Sequence, residues 1–389
     1  MILQKLQRDL EALTSPEGYL YAGLPKFRGL FGRDVLISGW QLLHYDPSIA
    51  RSSLLALAKL QGQKINPEIA EEPGKILHEF YSLDTSGRWW QGKITRNPWL
   101  KKGVPFYFSV DSTPLFLFIA AEYYRQTGEK EFIESIKENI VSALDWLFDY
   151  GMIDGFLRYG ERSKEEGLVS QSWKDGIGHT LEEQKSPVAI VEVQGYLFQA
   201  LEEISKIGNL IGRDKRGLEE TNKDLKDRFH EKFYMEDRDF YCLGIDGDNK
   251  QIKRITSNPG QLLFTEIIDK DQADLIVKRL FKDDMWTPYG IRTHSTQESD
   301  FDPLSYQRGA VWPHDNWIIA QGLLKRGYTE EAQQIKEALF LAYSDLGERI
   351  PEYYGVSLHN KIIIENLKTP PCYPQAWSVG AMINFLTRK

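Results

Sequence analysis

Cysteine is nearly absent from this 389-residue chain: Cys242 and Cys372 are its only two. That is too few for a disulfide framework, and they lack the paired spacing of a zinc site. No apolar run exceeds Leu115–Ala121, far short of the roughly 20 residues that cross a bilayer. The opening stretch MILQKLQRDLEAL has no apolar core of the signal-peptide kind, so a cytoplasmic protein without a membrane partner is expected. Basic blocks are missing too: 48 Lys and Arg are interspersed among 56 Asp and Glu, for a formal charge of −8. Nucleic acid is therefore not an expected partner. The chain has no GxSxG elbow, no Walker loop, no GxGxxG after a strand and no HExxH. Its histidines, at 44, 78, 179, 230, 294, 314 and 359, include no pair at ligand spacing, so neither a metal nor a cofactor is expected. The segment Asp246-Gly-Asp248-Asn-Lys departs from a calcium loop after three positions and reads as a turn.

Aromatic residues are plentiful, with 10 Trp, 19 Tyr and 19 Phe, and 41% of the chain is apolar. A chain of that kind buries a large core, which excludes disorder. Apolar residues recur at i, i+3, i+4 and i+7, and strand-like alternation is scarce, so the protein reads as all-α. The pattern predicts twelve helices, at about 2–13, 34–45, 47–62, 110–127, 129–150, 186–208, 213–233, 259–267, 270–282, 308–326, 328–346 and 373–388. Short breakers such as Asp46-Pro47 and Arg326-Gly327 alternate with long connections, and long loops inside a compact domain are usually functional. Hairpins that pair a small, apolar helix with a charged-faced one predict an (α/α)6 barrel spanning 1–389 as one domain. A small β-hairpin insert is expected at Phe240–Ile255.

The unusual polar and aromatic residues fall in the long loops or at first turns of the proposed inner helices. They form the clusters Phe31–Asp34, Val110–Pro114, Gln171–Asp175, Ser257–Gln261, Val311–Asn316 and Tyr373–Trp377. Helix capping accounts for much of Asp111-Ser-Thr-Pro and Asn258-Pro. It accounts for little of Trp173-Lys-Asp175. A cleft lined by aromatic rings and carboxylates, without a cofactor motif, suits a sugar: rings cover its C–H face and polar groups bond its hydroxyls. Glycoside hydrolysis needs two carboxyl groups, one protonated and one ionised. The candidates are Asp34, Glu72, Asp111, Asp175, Glu192, Asp315 and Glu352. Asp34 follows Arg33, and an ion pair between them would lower its pKa. Asp175 lies beside Trp173, where an apolar wall raises a carboxyl toward a general acid, with Lys174 opposing if it points inward. The residues alone leave this set unranked.

Several segments resemble, in order, the amylo-α-1,6-glucosidase region of glycogen debranching enzymes and related bacterial and archaeal glycosidases. They are Phe31-Gly-Arg-Asp34, Glu71–Glu79, Gln171-Ser-Trp-Lys-Asp175, Val191–Tyr196, Gly309–Asn316, Arg349-Ile-Pro-Glu352 and Pro374-Gln-Ala-Trp377. The resemblance implies the (α/α)6 fold and an inverting, metal-free glycosidase, with Asp175 as general acid and Glu352 as general base. One departure is Gly176, where a serine is common. Another is that only about twenty residues precede the first motif, where debranching enzymes carry a further domain.

The expectation is therefore an exo-acting inverting hydrolase that removes a terminal α-linked glucose from a short oligosaccharide or small glucoside. Arg33, Asp34 and Trp40 are expected to grip that sugar, with Glu72, His78 and Asp111 adding polar contacts. Trp173, Trp312 and Trp377 supply stacking faces, and Lys174, Gln194, His314, Asp315 and Gln375 complete the lining. The alternatives are a hydrolase of compatible-solute glycosides of the glucosylglycerate or mannosylglycerate type, or a non-catalytic carbohydrate-binding barrel. A phosphorylase would need a phosphate cradle in place of Glu352, and an epimerase would need paired histidines, whereas His78, His179 and His314 are dispersed. The expected partner is a small carbohydrate, and the expected state a monomer or small homo-oligomer.

Overall fold

The computed structural model describes residues 1–85, 87–160, 167–177 and 184–388; His179 lies outside them. Two burial patterns sort the helices. In Ser112–Thr127 every residue from Ser112 to Tyr123 is buried, and in Ala376–Thr387 every residue from Ala376 to Phe385. Helices hidden on all sides belong in the interior. In Lys215–Phe233 only Leu218, Asn222, Leu225, Phe229 and Phe233 are buried. That spacing of three and four makes a single inward stripe on an outer helix.

The inner elements are Gly32–Leu42, Ser112–Thr127, Val191–Lys206, the 3-10 segment Asn258–Phe264, Pro313–Arg326 and Ala376–Thr387. Each packs against the next, and Ala376–Thr387 packs back against Gly32–Leu42. Outside them run Pro47–Lys59, Lys137–Trp146, Lys215–Phe233, Lys270–Leu280 and Thr329–Asp345, each against the inner element before it. Helix Ile2–Leu13 completes the outer ring by covering Ala376–Thr387. The result is a closed (α/α)6 barrel. Local chemistry fixes the reversals. Asp46 accepts the Ser48 amide with Pro47 in the first turn, and Asp269 and Gln272 form a reciprocal capping box. Gly128 and Gly327, at φ 70° and 87°, end two inner helices in the left-handed conformation that a side chain disfavours. No described helix is long and apolar enough to cross a membrane.

Three elements differ in kind from the sequence expectation, and the helices expected from 186 and from 308 start later, at Val191 and Pro313. The helix expected over 129–150 breaks at Ile136 into Lys130–Ser135 and Lys137–Trp146, then widens into a π turn at Leu147–Gly151. The helix expected over 259–267 is the 3-10 segment Asn258–Phe264. Arg88–Arg96 is helical inside the long connection 63–109. Its glycine-containing sequence lacks a side-chain cap, and the packing of Trp89 and Trp90 on Tyr81, with ring centres 5.8 and 4.5 Å away, holds it. The expected hairpin is present as Gly244–Ile245 paired with Gln251–Ile252, to which Ala189–Ile190 adds a third strand. Asp246 Oδ1 accepts the Asp248 and Lys250 amides and closes the turn.

The short sheets and bridges collect at one end. Leu30–Phe31 pairs with Glu79–Phe80, Ala189–Ile190 precedes Val191–Lys206, and Val311 bridges Tyr354. Extended chain thus leads into the first turns of the inner ring and builds a rim there.

Candidate active site

A cavity of about 510 Å³ opens among those first turns. Gly32–Leu42 contributes Arg33 and Asp34; Ala376–Thr387 contributes Trp377, preceded by Gln375; and Trp312 stands just before Pro313–Arg326. Asp175 and Glu352, from two different loops, line the same space.

Glu352 is held on both sides. Its backbone N–H donates to the Cys372 carbonyl at 2.9 Å, and the Cys372 N–H donates back to Oε2 at 2.9 Å. The Tyr306 hydroxyl donates to Oε1. Two donors aimed at one carboxyl favour its ionised form. Burial outweighs them and pushes its pKa up to about 7. Asp175 opens the 3-10 turn Asp175–Ile177 and is braced by Gln307. The Gln307 side chain donates to the Trp173 carbonyl and accepts from the Gly176 amide, both at 2.6 Å. Burial pushes the Asp175 carboxyl up to about 6, with the Arg33 guanidinium pulling the other way. Among the described residues no hydrogen-bond donor reaches that carboxyl, which leaves it free to carry a proton toward a ligand.

Arg33 does not pair as the sequence leads one to expect. Its Nε donates to Asp111 Oδ2 at 2.7 Å in a fully buried ion pair, and Ser109 donates to the other Asp111 oxygen at 2.6 Å. Asp111 therefore positions Arg33 from behind and does not line the cavity. Asp34 instead accepts from Gln375 Nε2 at 3.3 Å. Its carboxyl stands well above the usual range because it is buried, with Glu352 and Asp175 nearby outweighing part of the relief from Arg33.

An aromatic wall backs the cavity. Trp173, Trp312, Trp377 and His78 line it. His314 lies behind, stacked on Trp377 with ring centres 3.8 Å apart and 4.8 Å from Trp173. Lys174 turns away from the cavity, donating to the Thr293 carbonyl at 2.6 Å and the Ser257 hydroxyl at 3.3 Å. Burial pushes its pKa down to about 8 despite nearby Asp315 and Glu192. Asp315 accepts from Gln261 at 2.5 Å. His314, Lys174 and Asp315 thus form a buried polar layer beneath the wall and do not line the cavity.

Three other expected contacts lie elsewhere. Trp40 packs against Phe118, Phe264 and Trp317 with ring centres 4.9–5.1 Å away. It sits six residues past Asp34, which at 1.5 Å per helical residue is about 9 Å down the barrel. Glu72 faces a separate cleft, where it accepts from Trp146 Nε1 at 2.7 Å and pairs with Lys75 at 3.1 Å. Gln194 exchanges hydrogen bonds with the Leu157 amide and carbonyl at 2.9 and 2.8 Å and also donates to the Ile190 carbonyl. It staples a strand to a helix. Gln194→Leu is expected to destabilise the protein by about 1–3 kcal/mol, since it strands a buried amide, while leaving KM unchanged. Urea denaturation and steady-state kinetics check both halves.

The sequence reading missed Glu79, Lys93 and Tyr306. Lys93, from Arg88–Arg96, donates to Glu79 and to the Tyr81 hydroxyl at the cavity wall. Phe27, Phe31, Tyr81 and Trp89 surround its ammonium at 4.8–5.4 Å, a cation-π cage. Burial lowers its pKa. Among the described residues no group of three or more His, Cys, Asp or Glu is placed to hold a metal ion.

The family model of the mannosylglycerate hydrolase MGH1-like glycoside hydrolase domain matches residues 33–356. A mannosylglycerate hydrolase of Rubrobacter radiotolerans is 24% identical over 157 residues, 38% of this chain and 35% of that protein. Mannosylglycerate hydrolase MGH1 of Selaginella moellendorffii is 32% identical over 94 residues, 24% of this chain and 18% of that protein. The chain thus matches about a third or less of the length of these relatives. Among solved structures, a GH63 mannosylglycerate hydrolase from Thermus thermophilus, in complexes with Tris and with glucose, superposes with a TM-score of 0.72 over 100% of both chains. At 17% identity that likeness is one of fold. These matches fall among solute-glycoside hydrolases, the alternative weighed from sequence, and not specifically among amylo-α-1,6-glucosidases.

Proposed function

Because the chain belongs to the mannosylglycerate hydrolase MGH1-like glycoside hydrolase family, we propose that it hydrolyses a short α-glycoside of a small organic acid, of the mannosylglycerate or glucosylglycerate type. The observation that carries the reading is that Asp175 and Glu352 line one cavity beside an aromatic wall. In the proposed single displacement, Asp175 gives its proton to the glycosidic oxygen as the C1–O bond breaks. Glu352 takes a proton from the water that attacks C1 from the other face, and the anomeric centre inverts. An inverting pair needs room for that water, with carboxyls roughly 6.5–9.5 Å apart. Arg33, Asp34 and Gln375 are suited to the sugar hydroxyls, and Trp173, Trp312 and Trp377 to its C–H face.

The acidic aglycone is supported by Lys26. Its Nζ is buried at the cavity wall without a hydrogen-bond partner among the described residues. The ammonium acts on Glu352 only through space, lowering its pKa against the larger effect of burial, and a glycerate carboxylate would supply the charged hydrogen bond that a buried ammonium calls for. Lys26→Met is expected to raise KM for an acidic glycoside by about 10–100-fold, the worth of a charged hydrogen bond of roughly 1.5–3 kcal/mol. KM for a neutral glycoside should hold steady. Equal effects on both substrates would reject this contact.

Proton NMR of the protein with mannosylglycerate, glucosylglycerate, isomaltose, panose and maltose tests the whole reading. Cleavage of a glycerate glycoside with the β-sugar appearing first is expected. First-formed α-sugar would contradict inversion. Cleavage of isomaltose alone would restore the α-1,6-glucosidase reading, and binding without turnover across the panel would leave a carbohydrate-binding barrel.

A further inference from the structure

The barrel has a second opening. At the C-terminal ends of the inner ring lies a cavity of about 870 Å³, larger than the catalytic one. This is within the ~300–1,000 Å³ typical of small-molecule sites. Trp40, Phe118, Phe264 and Phe385 give it an aromatic floor. The two cavities do not merge, because Trp40, Trp317, Phe264 and Tyr196 pack together across the barrel. The Tyr196 hydroxyl also ties to Gln261, the partner of Asp315.

Three oxygens around that floor are buried without a hydrogen-bond partner among the described residues: Gln199 Oε1, Glu202 Oε2 and Asn384 Oδ1. Gln199 and Asn384 are only 5% and 2% exposed. Their amide groups are already used, Gln199 Nε2 on Glu203 at 3.0 Å and Asn384 Nδ2 on the Gln41 carbonyl at 2.7 Å. The three open oxygens are all acceptors. Leaving a buried acceptor unpaired costs about 1–3 kcal/mol, so a fitting ligand presents donors.

Charge decides which donors. The lining holds four glutamates, at 122, 202, 203 and 266, against five bases at 125, 206, 325, 336 and 388. Arg125 pairs with Glu122, Lys206 with Glu202 and Glu203, and Lys325 with Glu266. Acid and base nearly cancel, so no strong charge of either sign selects the ligand. A neutral molecule with several hydroxyls and an apolar C–H face satisfies the acceptors and the aromatic floor together. We propose that this lower cavity is a second, non-catalytic binding site for a sugar or polyol. The inference is independent of which glycoside the upper cavity cleaves.

Calorimetric titration with D-glucose, D-mannose and glycerol, together with crystals soaked in each, tests the site. The expected result is two classes of site in solution, with one ligand touching Gln199 and Glu202. Gln199→Leu should abolish the lower site and leave kcat/KM unchanged. Should that variant fail to fold, Leu324→Trp serves instead: Leu324 is 46% exposed at the opening, so a larger ring there blocks entry without touching the core. Ligand confined to the upper cavity, water alone in the lower one, or two-site binding that survives both substitutions would each overturn the proposal.

Discussion

Asp175→Asn is expected to lower kcat on a natural glycoside by about 10²–10⁴-fold, the usual contribution of general acid catalysis. Asparagine keeps the shape, and Gln307 still braces the turn through backbone atoms of Trp173 and Gly176, so the fold should stand. What disappears is the proton for the departing oxygen. A dinitrophenyl glycoside, whose leaving group needs no proton, should therefore lose far less. An equal loss on both substrates would remove Asp175 from the acid role. The pH profile gives a second check. Asp175 near 6 and Glu352 near 7 share one cavity and titrate as a pair. The active form carries one proton between them, on Asp175; because Glu352 holds a proton more tightly, this is the minor of the two singly protonated forms, and kcat/KM should still be bell-shaped with its maximum between about pH 6 and 7. Asp175→Asn should abolish one limb.

Glu352→Gln should cut turnover by a comparable factor and at the same time stabilise the protein at alkaline pH. Glutamine can still accept from the Cys372 amide and can donate to the Tyr306 oxygen, but it cannot take a proton from water. For stability, the Glu352 pKa is raised by burial from 4.5 to about 7, so the native state binds this proton more tightly than the unfolded chain. The wild-type protein is therefore unaffected below about pH 4.5 and loses stability as pH rises to about 7. The loss is on the order of 3 kcal/mol by linkage. The glutamine side chain never ionises, so the urea midpoint of this variant should exceed that of wild type at pH 8 and match it near pH 4. A substitution that only damaged packing would lower the midpoint at both.

Much of the barrel is legible because inner and outer helices differ in a way residue types record. The small and apolar run from Ala376 to Phe385 and the one-sided stripe of Lys215–Phe233 announce opposite environments. The mouth is legible for a related reason: helix starts carry Asp34, Asp315 and Gln375 in motifs the resemblance identified. Which of those side chains reaches the cavity is another matter. Trp40 follows Asp34 on one helix, and only the rise per residue separates their fates. Lys174 and Asp175 are neighbours, yet Lys174 turns to Thr293 while Asp175 faces the cavity. The Arg88–Arg96 helix escaped because nothing local specifies it. Its fold comes from rings at Phe27 and Tyr81 that the linear pattern does not bring near.

Closure of the ring has a kinetic meaning. Gly32–Leu42 and Ala376–Thr387 are neighbours in space, yet more than three hundred residues separate them along the chain. Contacts that distant form late, because the entropy of closing the loop precedes the reward. On the ribosome, Asp175 is synthesised roughly two hundred residues before Trp377, the wall it needs. Until Ala376–Thr387 emerges, five inner elements stand as an open arc with apolar flanks exposed. Docking of Ala376–Thr387 therefore completes the pocket and covers those apolar flanks in a single step. During that interval the arc is the form most open to aggregation and to capture by a chaperone.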